Sequence, residues 1–184
     1  DNLTDMRDHK SYTTVLIGNQ CWMKENLKFG SAIPYTDAQI DNCMAERYTR
    51  SSTSGTVASF YQWNELMNFS STPGSQGLCP PGWHIPTSAE WELLLNLLEG
   101  PGMAGSWLKD KDWTGSFTSV QYGLLYQNHS WSFCSGFYAG AMYWTSTAVD
   151  NHHAEARGIN EYNKSVSRYH ALTSNAFNVR CLKD

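Results

Sequence analysis

A histidine pair beside a glutamate is the first group in this chain whose residue types and spacing could do chemistry. His153-Ala154-Glu155 has the H-x-E spacing that sets a zinc ligand beside a general acid–base in the zinc deaminases, but the P-C-x-x-C that completes such a site is absent. His152 and His153 are adjacent, and adjacent side chains on a strand point to opposite faces, so the two cannot easily share one metal. Cys134 could act as a thiol nucleophile with a distant histidine. Its neighbours Ser132, Phe133, Ser135 and Gly136 carry no charge to lower its pKa, so it reads as a plain thiol. Calcium takes about six to eight oxygens, and the carboxylates of this region, Asp150, Glu155 and Glu161, are few and scattered. We therefore expect no metal, no cofactor and no enzymatic activity.

Recognition is the chemistry that remains. Two apolar, strand-like runs, Ala141-Met142-Tyr143-Trp144-Thr145-Ser146-Thr147 and Phe177-Asn178-Val179-Arg180-Cys181, frame a polar and aromatic insert. The candidate ligand-binding residues are Asp150, Asn151, His152, His153, Glu155, Ala156, Gly158, Asn160, Tyr169, His170, Ala171 and Leu172. On a strand, His153, Glu155, Arg157, Ile159 and Glu161 would alternate with His152, Ala154, Ala156, Gly158 and Asn160, placing charge on one side and small residues against the core. Tyr162, Tyr169 and His170 are rigid, amphipathic contacts of the kind paratopes use. Two plainer readings stand beside this one: Arg157 as a structural ion-pair residue, and the insert as a merely solvated loop.

The elements that must position this insert can be read from the rest of the chain. At 184 residues it is long enough for one well-buried core, and we expect a single domain over residues 1–184. With 41% hydrophobic and 16% charged residues it should be globular, and its 8 Trp, 10 Tyr and 7 Phe suit a dense core or a sticky face. A net charge of −4 supplies no basic footprint for nucleic acid. No apolar run approaches the roughly 20 residues that span a bilayer, so direct membrane insertion is not expected; the start at Asp1 without a signal-like segment suggests a mature or excised fragment.

Tyr12-Thr13-Thr14-Val15-Leu16-Ile17, a Gly18-Asn19 turn and Gln20-Cys21-Trp22-Met23 read as a hairpin. Residues 31–54 read as loop. Phe60, Trp63, Leu66 and Met67 recur at helical spacing, which predicts a first helix over residues 57–68 with this stripe in the core. Thr87-Ser88-Ala89-Glu90 is a capping box that opens a second helix with Trp91, Leu94, Leu95 and Leu98 on its apolar face, stopped by Gly100-Pro101-Gly102. Beyond it, Trp107, Trp113, Phe117, Tyr122 and Trp131 among Gly and Ser suggest irregular structure and short strands. Strands at the two ends of the chain could pair in an α+β fold.

Five cysteines without a CxxC pair disfavour zinc fingers. Two disulfides and one free thiol is the simplest arrangement and implies export; we assign Cys79–Cys181 and Cys21–Cys43, with Cys134 free, although the spacing alone does not choose among pairings. Five reduced thiols in a cytosolic protein is the alternative.

These landmarks resemble a known family. Asp5-Met6-Arg7-Asp8-His9-Lys10 with Tyr12, Ile17-Gly18-Asn19-Gln20 and Trp22-Met23-Lys24-Glu25-Asn26-Leu27 resembles the opening of the FISUMP family, the Fibrobacter major paralogous domain. Cys79-Pro80-Pro81-Gly82-Trp83-His84-Ile85-Pro86 with Glu90-Trp91 is similar to its middle motif, and Tyr143-Trp144-Thr145-Ser146-Thr147 with Val179-Arg180-Cys181 to its end. The chain departs at Cys21, where the family often has Trp, and in its long 31–54 loop. The resemblance implies a C-type-lectin-like fold: two helices packed on antiparallel sheets, with a loop-rich C-terminal half. It also implies export to a bacterial surface, as a secreted protein, lipoprotein or pilus-tip adhesin whose partner is a protein or glycan on another cell. A structural subunit of a surface appendage is the alternative role. The calcium-dependent sugar motifs of lectins, Glu-Pro-Asn or Gln-Pro-Asp followed by Trp-Asn-Asp, are absent. So is a cysteine pair like that of the related formylglycine-generating enzymes.

The family is also similar to the variable proteins of diversity-generating retroelements, in which codons of an equivalent insert are altered at adenines. Asp150, Asn151, His152, His153, Ala156, Gly158, Tyr169, His170, Ala171 and Leu172 are largely residues that altered AAC or AAT codons encode. Glu155 is not, and is either framework or evidence against diversification.

Overall fold

The computed structural model describes residues 2–51, 57–109, 124–127, 130–133, 140–160 and 162–184. Cys134, Glu161, Trp113, Phe117, Tyr122 and the Ser/Thr-rich residues 52–55 lie outside the described residues.

The first hairpin forms as its sequence predicts. β1 (Asn2–Thr4) pairs with β2 (Ser11–Ile17), which turns back into β3 (Gln20–Met23) in antiparallel register, Ile17 opposite Gln20. Gly18 takes φ +59° at the turn, a left-handed conformation that calls for glycine. The chain's last strand, β14 (Leu182–Lys183), enters between β3 and β7 (Trp83–His84), closing a sheet of order β1-β2-β3-β14-β7. The two ends of the chain thus pair, and the Cys79–Cys181 disulfide fastens the same corner across 102 residues.

The structure corrects the expected fold class. The molecule is sheet-rich: a second sheet runs β4 (Ser31–Ile33), β5 (Glu46–Ser51), β6 (Val57–Gln62), β13 (Ala176–Phe177), β8 (Leu124–Gln127), β9 (Ser130–Phe133), and a third holds β10 (Gly140–Ala148), β11 (His153–Asn160) and β12 (Val166–Leu172). Two helices packed on sheets do not describe it. Most of the expected first helix is strand β6, paired antiparallel with β5, and only Trp63–Leu66 (α1) coil. The reason is burial: Ala58, Ser59, Phe60 and Tyr61 are consecutive buried residues, so the strand's own two-residue period is hidden and a helical spacing shows through. The stripe residues Phe60, Trp63, Leu66 and Met67 are core, as expected. The presumed loop 31–54 contains β4 and β5, and the presumed loop-rich C-terminal half contains a three-stranded sheet.

The capping box forms as read. Thr87 Oγ1 accepts the Glu90 N–H at 3.2 Å while Glu90 Oε2 accepts the Thr87 N–H at 2.7 Å, opening α2 (Ser88–Leu97). Trp91, Leu94, Leu95 and Leu98 are buried against Trp22, Tyr143, Ile159 and Val166. A short α3 (Ala104–Lys109) follows, which the scattered aromatics of that region did not announce. On the other side, Trp144, Met142, Ala154, Ala156 and Phe177 join Tyr12, Trp63 and the disulfide in the main core. Each such large side chain contributes about 1.5–3 kcal/mol by burial.

Candidate functional site

The insert's central strand decides what the site can be. Register pairs Tyr143 with Arg157 and Trp144 with Ala156 on one side of β11, and Arg157 with Arg168, Glu155 with His170 and His153 with Leu172 on the other. Alternation along β11 is as expected, but both faces are covered. Ala154 and Ala156 pack into the main core, while Glu155 and Arg157, 4% and 1% exposed, lie on the face of the sheet turned toward α2. Glu155, Ala156 and Gly158 are therefore interior residues, which corrects their assignment to a ligand surface.

Their chemistry is internal. Arg157 Nη2 donates to Ser88 Oγ at 2.7 Å and to Glu92 Oε1 at 2.8 Å, fixing the first turns of α2 to the sheet. Glu155 accepts from the Ser88 hydroxyl and from the Arg168 guanidinium. Burial pushes the Glu155 carboxyl up, but those two donors and the nearby arginines outweigh it and hold it below the usual carboxylate range. Arg157 is thus the structural ion-pair residue. Gly158 is required by space, since a Cβ there would meet Tyr169 Cε2 at 2.5 Å. Tyr169 is half-buried against the main core, and Ala171 is buried.

The remaining candidates do converge. Asp150, Asn151 and His152 are exposed in the β10–β11 turn, and His153 is half-exposed beside them. The Asp150 carboxylate accepts the N–H groups of His152 at 2.7 Å and His153 at 2.8 Å and contacts His153 Nδ1 at 3.0 Å, which draws its pKa below the usual value and makes the turn rigid. Thr173 donates its N–H to His152 O at 2.8 Å, so Leu172 and His170, both exposed, stand next to this turn. Asn160, half-buried, lies at the other end of β11. Arg168, exposed and not among the candidates, belongs with His170 on the edge strand; its place in the insert was the available signal.

β12 also offers backbone. Val166 sends its N–H away from β11 to Pro101 O at 2.8 Å, so the two-residue repeat turns the N–H and C=O groups of Arg168 and His170 outward as well. Neither residue's main chain has a partner among the described residues.

Of the expected disulfides only Cys79–Cys181 forms; Cys21 and Cys43 are free, which corrects the second pair. Cys21 is half-buried in the middle of the first hairpin, whereas Cys43 is exposed on the loop before β5. A cleft of about 580 Å³ opens beside that loop, lined by Arg7, Phe29, Cys43, Met44, Met67 and Asn68 among others. Among the described residues no group of three or more His, Cys, Asp or Glu could hold a metal, and no helix is long and apolar enough to cross a membrane.

The resemblance motifs fall on the scaffold. Asn26 accepts from Arg180 Nε at 2.5 Å and donates to Asn178, which donates to Met142 O; Trp144 Nε1 donates to Tyr61 O at 2.8 Å. The model of the family described as Fibrobacter succinogenes major domain matches residues 15–183. The chain belongs to this family. No curated protein matches it, and neither does any solved structure. The family match spans the insert and the frame alike, so the insert's exposed tip is a part of the domain and not an appendage.

Proposed function

We propose that the protein is an exported binding module, acting as a bacterial surface or pilus-tip adhesin domain, that contacts a protein or glycan on another cell through one end of its three-stranded sheet. The observation that carries this reading is the register of β10, β11 and β12. It sets Asn151 and His152 of the turn beside His170 and Leu172 of the edge strand, exposed together, while the strand between them is buried. The contact surface comprises Asp150, Asn151, His152, His153, Arg168, His170 and Leu172. The Asp150 turn and the Glu155–Arg168 pair hold it in one conformation, which lowers the ordering cost of binding. The disulfide is compatible with an exported protein. Retroelement diversification, if this chain uses it, is confined to exposed positions, because Ala156, Gly158 and Ala171 are fixed by packing.

The test is a screen of the domain against glycan and cell-surface protein arrays, repeated with a His152→Ala/His170→Ala double variant. A hit that loses tenfold or more in the double variant at unchanged melting temperature supports the reading. Hits that the double variant binds equally well would sink it.

A further inference from the structure

Two acids are buried where the segments that line the two sides of the cleft meet. Glu46, the first residue of β5, is 7% exposed, and Glu65, in α1, is 2% exposed. The Glu46 N–H donates to Glu65 Oε1 at 2.8 Å, and Asn42 Nδ2 donates to Glu46 Oε1 at 3.0 Å. The Oε2 atom of each carboxyl is buried with no donor among the described residues. No lysine, arginine or histidine pairs with either one there. Arg47, the adjacent cation, is committed elsewhere, its Nε to Gly30 O at 2.9 Å and its Nη1 to Ser59 Oγ at 3.0 Å.

The other groups around the pair are neutral or acidic. From the loop before β5 come Asp37, Gln39, Asp41 and Asn42; from β5 itself comes Tyr48, whose hydroxyl donates to Asp37 O at 2.7 Å. Gln39 is buried, with its Oε1 taken by the Gln62 N–H and its Nε2 without a partner among the described residues. Two carboxylates cannot both stay ionised in such surroundings: each would lack a counter-charge and each would repel the other. A proton on one removes a charge and supplies a donor.

The position of the pair gives that proton leverage. Glu46 follows Cys43, Met44 and Ala45, which line one side of the cleft; Glu65 precedes Met67 and Asn68, which line the other. Both sides contain non-glycine residues in the left-handed region, Cys43 at φ 62° and Asn68 and Phe69 at φ 48° and 57°. Backbone held this way relaxes when what holds it lets go.

We propose that Glu46 and Glu65 form a proton-held latch that keeps the two sides of the cleft together and releases them when the proton is lost. Burial, with repulsion from Glu46 and Asp41, raises the Glu65 carboxyl to about 7, against the lowering effect of the Glu46 N–H, which places the release near neutral pH. Because the folded value is raised, the proton's contribution is complete below the unfolded value and is lost as pH rises through about 7.

Amide exchange in the 1–184 chain, followed by NMR in EDTA at pH 6 and pH 8 and corrected for intrinsic rates, reads the latch directly. The reporters are the Glu46 N–H and the Ser31 N–H, the latter bonded to Ala45 O at 2.8 Å. In the wild type, protection at both amides should fall tenfold or more from pH 6 to pH 8. In Glu65→Gln it should stay level, and in Glu46→Gln, which keeps the buried Glu65 but removes the second charge, the fall should be smaller than in the wild type. Level protection in the wild type, or the same fall in both variants, overturns the proposal. Calcium restoring wild-type protection at pH 8 would also overturn it, by making the pair a cation site.

Discussion

Glu155 and Glu65 are both glutamates, both almost fully buried, and opposite in electrostatics. Glu155 lies within reach of Arg157 and Arg168 and accepts the Ser88 hydroxyl, and its carboxyl is held below the ordinary range. Glu65 has the Glu46 N–H for one oxygen, nothing among the described residues for the other, and a second glutamate beside it; its carboxyl rises to about 7. Burial is common to both, so burial does not determine the charge. The count of donors and cations does. One region is therefore a fixed joint between α2 and the sheet, and the other is a joint whose strength depends on pH.

The largest break in this comparison is Arg157→Ala. It would strip the α2–sheet joint of its central cation and leave Glu155 buried with the exposed Arg168 as its remaining ion-pair partner. Glu155 keeps Arg168 and the Ser88 hydroxyl and Glu92 is exposed, so the loss is that of the charged hydrogen bonds of Arg157, about 1.5–3 kcal/mol, and urea denaturation at pH 7 should show a loss of that order. A loss near zero would mean that Arg157, whose Nε and Nη1 lack partners among the described residues, contributes no more than an apolar residue of its size would.

The opposite joint should respond in the opposite sense. Glu65→Gln mimics the protonated acid, so at pH 8 it should stabilise the domain, by roughly 1–3 kcal/mol given a carboxyl raised to about 7 from an ordinary 4.5. At pH 5, where the wild-type acid already holds its proton, the two proteins should melt together. Thermal melts of both at the two pH values decide it. A variant less stable at pH 8 would show that Glu65 is ionised and satisfied.

Much of the scaffold was legible because its signals are local. The Gly18 hairpin and the Thr87 capping box rest on residue types whose conformational demands do not depend on distant partners, whereas the Cys79–Cys181 pairing spans 102 residues and no local signal carried it. The misreadings have the opposite character. Strand β6 presents consecutive buried residues because Ala58 and Phe60 pack with Tyr48 and Ala176 while Tyr61 packs into the main core, and no period in 57–62 separates that from a helix. Glu155 and Arg157 read as surface because charged residues usually are; only the approach of α2, brought there by the packing of Trp91 on Trp22 at 5.1 Å, turns their face inward. The Cys21–Cys43 pairing failed: Cys21 is half-buried in β3 and Cys43 exposed on the loop before β5, a placement that a list of cysteines does not contain. The Glu46–Glu65 contact joins a strand taken for loop to a helix placed too early. Neither residue stood out until the two elements were in place.

A third joint grades between the two extremes. His84 contacts Glu90 at 3.0 Å and Asp184 at 2.7 Å, tying the chain's last residue and α2 to β7, and the Glu90 contact, then Asp184, raise its pKa against the lowering effect of burial. A raised histidine stabilises the fold fully below the ordinary value of about 6.5 and loses that contribution as pH rises through its folded value. His84→Gln should thus cost more at pH 5.5 than at pH 8.5. Asp184 is well exposed, so solvent screening keeps the difference to roughly 0.5–1 kcal/mol in denaturant titrations. An equal cost at both pH values would assign His84 to packing alone.

The smallest effect on stability belongs to the surface we assign to binding, and its smallness is the point. His152 and His170 are exposed, and neither takes part in the Glu155–Arg157 joint or in the core. Replacing both with alanine should change unfolding free energy by no more than about 0.5 kcal/mol, the range for exposed positions without special contacts. The same double variant is the one expected to lose ligand. A residue that serves the fold shows itself in stability whether or not a ligand is present; a residue that serves only recognition is silent until one is. If the double variant instead destabilised the domain by 2 kcal/mol or more, roughly the cost of breaking a buried contact, the tip would belong with Glu155 and Arg157 as scaffold. The recognition surface would then have to be sought at the cleft that Glu46 and Glu65 control.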